Sequence, residues 1–126
     1  MPTITIPDGP SFEVTADKRL VRAIEENGVD ILHRCGGFAR CTTCRVDFHE
    51  GEPDKMTQAE LDRLSKGQDL LGNVRLSCQI LCDHDMTLTP FYTLSDSNYD
   101  DPGPTPEDHI TPDPVWIDVP YKAPAK

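Results

Sequence analysis

Five cysteines stand in this chain of 126 residues, and four of them form a pattern that can do chemistry. Cys35, Cys41 and Cys44 fall within ten residues, separated by five positions and then two, and Cys78 follows after a gap of 33. Four thiolates so arranged can hold a [2Fe–2S] cluster with a pair of sulfurs on each iron. The short loop would wrap one side of the cluster, and a remote segment would bring the last ligand. Gly36 and Gly37 suit such a loop, because backbone that turns its amides toward sulfur needs close approach and often positive φ. Thr42 and Thr43 add small side chains whose hydroxyls are candidate donors to sulfur, and such donors tune a potential.

Rival chemistries use some of these cysteines and leave others idle. Zinc could take Cys41 and Cys44 with Cys78 and Cys82, since paired cysteines suit tetrahedral zinc, but Cys35 and its glycines would then have no purpose. A dithiol at Cys41 and Cys44 would open a helix after a strand, whereas the residues that follow alternate as a strand does. A Rieske centre needs histidines beside the ligands, and His33, His49, His84 and His109 form no Cys-x-His pair. A disulfide framework is the weakest reading. The cluster leads, with a zinc-stabilised interaction module as the rival. Cys82 reads as a small buried apolar group rather than a fifth ligand.

Composition narrows the partners. With 22 acidic and 12 basic residues the formal charge is −10, which repels phosphate backbones and favours a basic protein surface. No run approaches the ~20 apolar residues that span a bilayer, and the first residues lack the basic start and apolar run of a secretion signal. The expected setting is therefore a reducing, cytoplasmic compartment, where thiols serve as ligands more often than as disulfides. Apolar residues make up 37% of the chain, so the core is small and a metal would help to hold it.

The elements that must position the cysteines are legible in outline. Residues 3–6 and 11–15 alternate polar and apolar around a Pro-Asp-Gly-Pro turn, a hairpin pattern. Residues 18–27 place Leu20, Val21, Ala23 and Ile24 at helical spacing, with Asp17 as N-cap and Gly28 as stop. Residues 29–32 are extended and feed the cysteine loop, and 45–49 read as a third strand. Thr57 and Glu60 make a capping box for a short helix over 57–64. Residues 74–81 and 86–89 are expected to close the sheet. The order gives an α+β layout, one main helix on a small mixed sheet with a short second helix.

Beyond Leu94 the character changes. Residues 95–126 hold seven of the twelve prolines, seven acidic residues and two lysines, with no helical or strand period. The chain divides accordingly into a domain at 1–94 and an acidic, proline-rich extension at 95–126. Val115, Trp116, Ile117, Val119 and Tyr121 leave two readings open for that extension: a solvated tail, or a segment that docks on its own domain or on a partner.

The run Cys35-Gly36-Gly37-Phe38-Ala39-Arg40-Cys41-Thr42-Thr43-Cys44, with Arg75-Leu76-Ser77-Cys78-Gln79-Ile80 downstream, resembles the [2Fe–2S] ferredoxins. Residues 20–30 look like that family's helix and lead-in, and the resemblance covers roughly residues 3–90. Five residues between the first two ligands match the adrenodoxin-like branch, whereas the plant-type loop has four. The resemblance implies a β-grasp fold and one-electron transfer, with Cys35 and Cys41 on the outer iron and Cys44 and Cys78 on the inner one. It also maps the family's acidic docking helix near 57–64, which here carries Glu60, Asp62 and Arg63.

The expected protein is thus a monomeric electron carrier rather than an enzyme. It would take one electron from a reductase and deliver it to an oxygenase, a cytochrome P450 or the iron–sulfur assembly machinery. Docking would be transient and centred on residues 38–43. Arg34, Arg40 and Arg45 bracket the loop and are candidates for offsetting cluster charge, Arg40 first among them. His33 and His84 read as ordinary loop histidines. No nucleophile–base pair, phosphate-binding loop or carboxylate dyad stands out.

Overall fold

The computed structural model describes residues 2–7, 9–15, 18–34, 36–40, 42–67, 70–97 and 99–120. The chain opens on a hairpin of β1 (Thr3–Thr5) and β2 (Ser11–Glu13), followed by a two-residue strand β3 (Lys18–Arg19) and helix α1 (Leu20–Glu26). After the cysteine loop come β4 (Arg45–Glu50), β5 (Lys55–Thr57) and helix α2 (Gln58–Lys66). Strands β6 (Arg75–Leu76), β7 (Leu81–Cys82), β8 (Met86–Pro90) and β9 (Trp116–Asp118) complete the chain. The main sheet runs β2-β1-β8-β4-β6, with β1 and β8 parallel and the other neighbours antiparallel. Leu20, Val21, Ala23 and Ile24 of α1 pack with Ile4, Val46, Leu76 and Leu88 of the sheet in one core. The α+β layout is the expected one. No helix among the described residues is long and apolar enough to cross a membrane.

Three departures from the sequence reading bear on the site, besides β2 ending at Glu13, α2 running on to Lys66 and the unexpected strand β5. Helix α1 starts at Leu20, because Lys18 and Arg19 pair with Cys82 and Leu81 and the Leu20 N–H donates to Ile80. Asp17, the expected N-cap, lies outside the described residues. The stop is as expected: Gly28 has φ 95°, and its N–H donates to the Glu25 carbonyl. Second, the strand expected over 74–81 is broken by a 3₁₀ turn at Ser77–Gln79, which carries Cys78. Third, the extension contains a strand. Trp116, Ile117 and Asp118 pair with Thr57, Met56 and Lys55, and the Val119 N–H donates to Asp54. Of the two open readings, docking on its own domain is the one observed, although Tyr121 lies outside the described residues.

Helix α2 is capped as the sequence predicts, since the Thr57 hydroxyl accepts from the Glu60 N–H at 3.1 Å. The reciprocal half of the capping box is missing. Glu60 is instead fully buried, and its carboxylate accepts from Arg75 Nε (2.7 Å), Arg75 Nη2 (3.2 Å) and the Leu76 N–H (2.9 Å). Burial pushes this carboxyl up, against the Arg75 charge and the donated hydrogen bonds that favour its ionised form. Arg75 also reaches Glu52 and the carbonyls of Pro53 and Lys55, so the guanidinium is satisfied as well as paired. This fork ties α2 to β6, the strand that leads into the turn carrying Cys78.

Glu60→Gln removes the closer negative partner of Arg75 and leaves the Glu52 carboxylate at 3.3 Å. The expected loss is about 3 kcal/mol, the low end of the cost of stranding a buried charge, read from the urea midpoint at constant slope. A loss below about 1 kcal/mol, the range of surface ion pairs, would show that the fork holds nothing.

Candidate metal centre

The cysteine loop links α1 to β4, and its entrance is anchored to the chain beyond β8. There the Leu32 N–H donates to Tyr92 and the His33 N–H to Pro102, at 3.0 and 2.8 Å. His33 is buried rather than an ordinary loop residue: its Nε2 pairs with the Glu25 carboxylate of α1, and its carbonyl accepts from the Gly36 N–H. Inside the loop the backbone turns repeatedly into the left-handed region, at Gly36 (φ 74°), Gly37 (91°), Ala39 (59°) and Thr42 (62°). For the alanine and threonine this conformation costs about 1–2 kcal/mol each. Side chains hold the loop in this shape. Arg45 donates from Nη2 to the Thr42 hydroxyl (2.6 Å) and from Nε to the Thr42 carbonyl (3.1 Å). Arg63 of α2 reaches the Arg40 carbonyl at 2.9 Å, and the Arg34 N–H donates to the Thr43 hydroxyl at 3.0 Å.

Cys35 and Cys41 lie outside the described residues, so the structure shows two of the four predicted ligands. Those two are brought together. Arg45 faces Leu76 in the antiparallel β4–β6 pair, which sets Cys44 opposite Ser77. Ser77 closes the contact twice, its N–H and its hydroxyl both donating to the Cys44 carbonyl at 3.2 and 2.7 Å. Both cysteines are buried, Cys44 at 2% exposure and Cys78 at 0%. Gln79 Nε2 lies 3.6 Å from the Cys78 sulfur, placed to donate to it.

Gly37 is the tightest point of the loop. A Cβ there would meet the Arg19 guanidinium at 2.5 Å and Pro106 at 3.0 Å, besides the strain of its positive φ. Its carbonyl accepts from Arg19, from Gln79 (3.3 Å) and from the Thr111 hydroxyl (3.3 Å). A loop backbone with repeated positive φ, two buried cysteines on adjoining backbone and an amide within reach of one sulfur fit a thiolate-held group. Among the described residues no three His, Cys, Asp or Glu side chains converge, since half of the predicted ligand set falls outside them.

Other candidates sort by position. Cys82 is buried in β7 opposite Lys18, and burial, then the Asp83 charge, pushes its thiol up to about 12. That makes it an inert packing group, as expected. His84 is away from the loop, holding the Gly51 carbonyl (2.6 Å) and Asp83 (2.5 Å). The three bracketing arginines differ in their contacts. Arg45 clamps Thr42 and stacks on Tyr92, Arg34 pairs with Asp101 and stacks on Tyr99, and the exposed Arg40 lies over the ring of Phe38. Glu60 cannot meet a partner protein from the core, which takes one acidic group away from the mapped docking helix.

Sequence reasoning missed Ser77, Gln79 and Arg19 as parts of this site. The first pair sat in plain view within the Arg75–Ile80 motif; nothing marked Arg19, which reads as one more charge at a helix start.

The profile of the 2Fe-2S iron-sulfur cluster binding domain family matches residues 4–83, which contain the loop and the turn just described. A 2Fe-2S ferredoxin of Pseudomonas aeruginosa is 36% identical over 93 residues, covering 71% of this chain and 83% of that protein. Among solved structures, the ISC-like [2Fe-2S] ferredoxin of Pseudomonas putida superposes with a TM-score of 0.60 at 28% identity, over 77% of this chain and 99% of its own. A chain of the covalent putidaredoxin reductase–putidaredoxin complex gives 0.56 at 30% identity, over 70% and 96%. These likenesses agree with the β-grasp expectation and leave the zinc module without support. The chain belongs to the [2Fe–2S] ferredoxin family, as an electron carrier built on a single [2Fe–2S] cluster.

Proposed function

We propose that Cys35, Cys41, Cys44 and Cys78 are the four ligands, with Cys35 and Cys41 on the outer iron and Cys44 and Cys78 on the inner. The observation that carries this reading is the double hydrogen bond from Ser77 to the Cys44 carbonyl, which joins the loop to the remote turn at the two buried cysteines. When bound, the cluster supplies a site that accepts and releases one electron. The protein's own groups do the rest. The core keeps water from Cys44 and Cys78, and the Gln79 amide donates toward Cys78 sulfur, which favours the more electron-rich state.

The donor is a reductase and the acceptor an enzyme system such as an oxygenase, a cytochrome P450 or the iron–sulfur assembly machinery. A structural neighbour whose own complex is with a reductase supports the first half of that route. The carrier works as a monomer in the cytoplasm and catalyses no reaction itself. Residues 1–94 carry the cluster and 95–126 extend that domain. Docking centres on the exposed part of the loop, where Phe38 is 43% exposed and Arg40 lies over its ring. The net charge of −10 draws a basic partner from a distance.

Serine at any of the four proposed ligands abolishes or severely weakens visible absorption and iron content, while Cys82→Ala leaves both unchanged. The unsubstituted chain, reduced with dithionite, gives a [2Fe–2S] paramagnetic signal with roughly two irons and two sulfides per chain. Full colour in Cys78→Ser, or a colourless protein with tightly bound zinc, refutes the ligand set.

Steering by net charge has a separate signature. The second-order rate of reduction by a reductase should fall as salt shrinks the screening length from about 30 Å at 0.01 M to about 8 Å at 0.15 M. A rate indifferent to salt removes the steering and leaves the ligand set standing.

A further inference from the structure

Arg19 is a cation with no access to water, at 0% exposure, although it stands at the junction of β3 and α1 where surface charge is usual. A guanidinium carries five N–H donors. Among the described residues they meet five acceptors. Nε donates to the Cys78 carbonyl at 2.7 Å, and Nη2 donates to the Gly37 carbonyl and, at 3.4 Å, to the Thr111 hydroxyl. Nη1 donates to the carbonyls of Glu107 (2.9 Å) and His109 (3.0 Å). One side chain thus grips the glycine of the cysteine loop, the backbone of the remote cysteine and the C-terminal extension together.

The extension is what keeps that charge dry. Its residues supply three of the five acceptors. Arg22, on the exposed flank of the helix, pins it further by donating to the Pro106 carbonyl and pairing with Asp108. From inside, Gln79 donates to the Thr111 carbonyl at 2.8 Å, and the Thr111 hydroxyl reaches the Gly37 carbonyl at 3.3 Å. Pro104 and Pro106 lie against Gly36 and Gly37, covering that side of the loop.

A charge shielded from water acts more strongly on its neighbours than a solvated one, because the effective dielectric is lower. Reduction adds one negative charge to the cluster, and a fixed positive charge close by favours that state. We propose that Arg19 is a positioning residue for the cluster and also sets its potential, holding it higher than the same site without the guanidinium, and that residues 107–111 are the cover on which this depends. The inference rests on the cluster assignment above.

The test uses full-length protein and is read first on the unsubstituted chain, where absence of [2Fe–2S] absorption would sink the cluster assignment and not this inference alone. Spectroelectrochemical titration of Arg19→Gln should show a more negative potential with the paramagnetic signal retained. Arg19→Lys keeps the charge but has only three donors for five acceptors. It should hold a potential nearer the unsubstituted one while releasing its cluster several-fold faster. Equal potentials in all three proteins, or equal shifts in both variants, overturn the charge role. If Arg19→Gln does not fold, Thr111→Val decides. It removes one acceptor of Arg19 and one donor to Gly37, so a smaller negative shift supports the proposal and an unchanged potential defeats it.

Discussion

Backbone that curls inward around a site turns carbonyls outward, and those carbonyls must find donors when no neighbouring strand can supply them. The cysteine loop meets this demand largely with side chains. Arg19, Gln79 and Thr111 donate to the Gly37 carbonyl, Arg63 to Arg40, Arg45 to Thr42, and Ser77 to Cys44. These donors come from several parts of the chain, so the loop keeps its shape only when the helices, the 3₁₀ turn and the extension are in place together. This explains why residues in the left-handed region are tolerated at Ala39 and Thr42 without glycine. The strain is offset by bonds that only the folded molecule can supply.

The two wholly buried arginines illustrate different uses of a guanidinium. Arg75 is paired with a buried carboxylate, so its charge is cancelled locally and its contribution is to fix α2 on β6. Arg19 donates, among the described residues, to four carbonyls and a hydroxyl, which makes one side chain a junction between loop, turn and extension. In a chain with few aromatics, such polar junctions supply connectivity that a small apolar core does not. They are also directional, and a site that must hold sulfur atoms at set positions needs direction more than adhesion.

The C-terminal extension extends the fold rather than trailing from it. Prolines suit its path, because an extended segment running over the loop forms few ladder bonds of its own and loses less entropy on docking. Strand β9 then fastens it by pairing with β5, which leads directly into α2. The edge of the loop around Phe38 and Arg40 stays exposed.

Much of the fold and half of the site's logic can be read from the order of residues alone. The cysteine spacing points to the cluster, alternation and helical period locate the hairpin, α1, β4 and α2, and Thr57 caps its helix as its type and position predict. These are local properties: a period, a cap or a ligand spacing is written in neighbouring residues. Charge at a helix start, a glutamate in a capping box and a histidine before a loop all carry a surface reading by default. The fold buries Arg19, Glu60 and His33 instead, because the acceptors and partners that make burial tolerable come from sequence positions far away. The break at Ser77–Gln79 and the pairing of Trp116–Asp118 are hidden for the same reason. Which sulfurs are available was decided by the sequence itself; which carbonyls, charges and prolines surround them was decided only when distant segments met, since hydrogen bonds between remote residues leave no period to read.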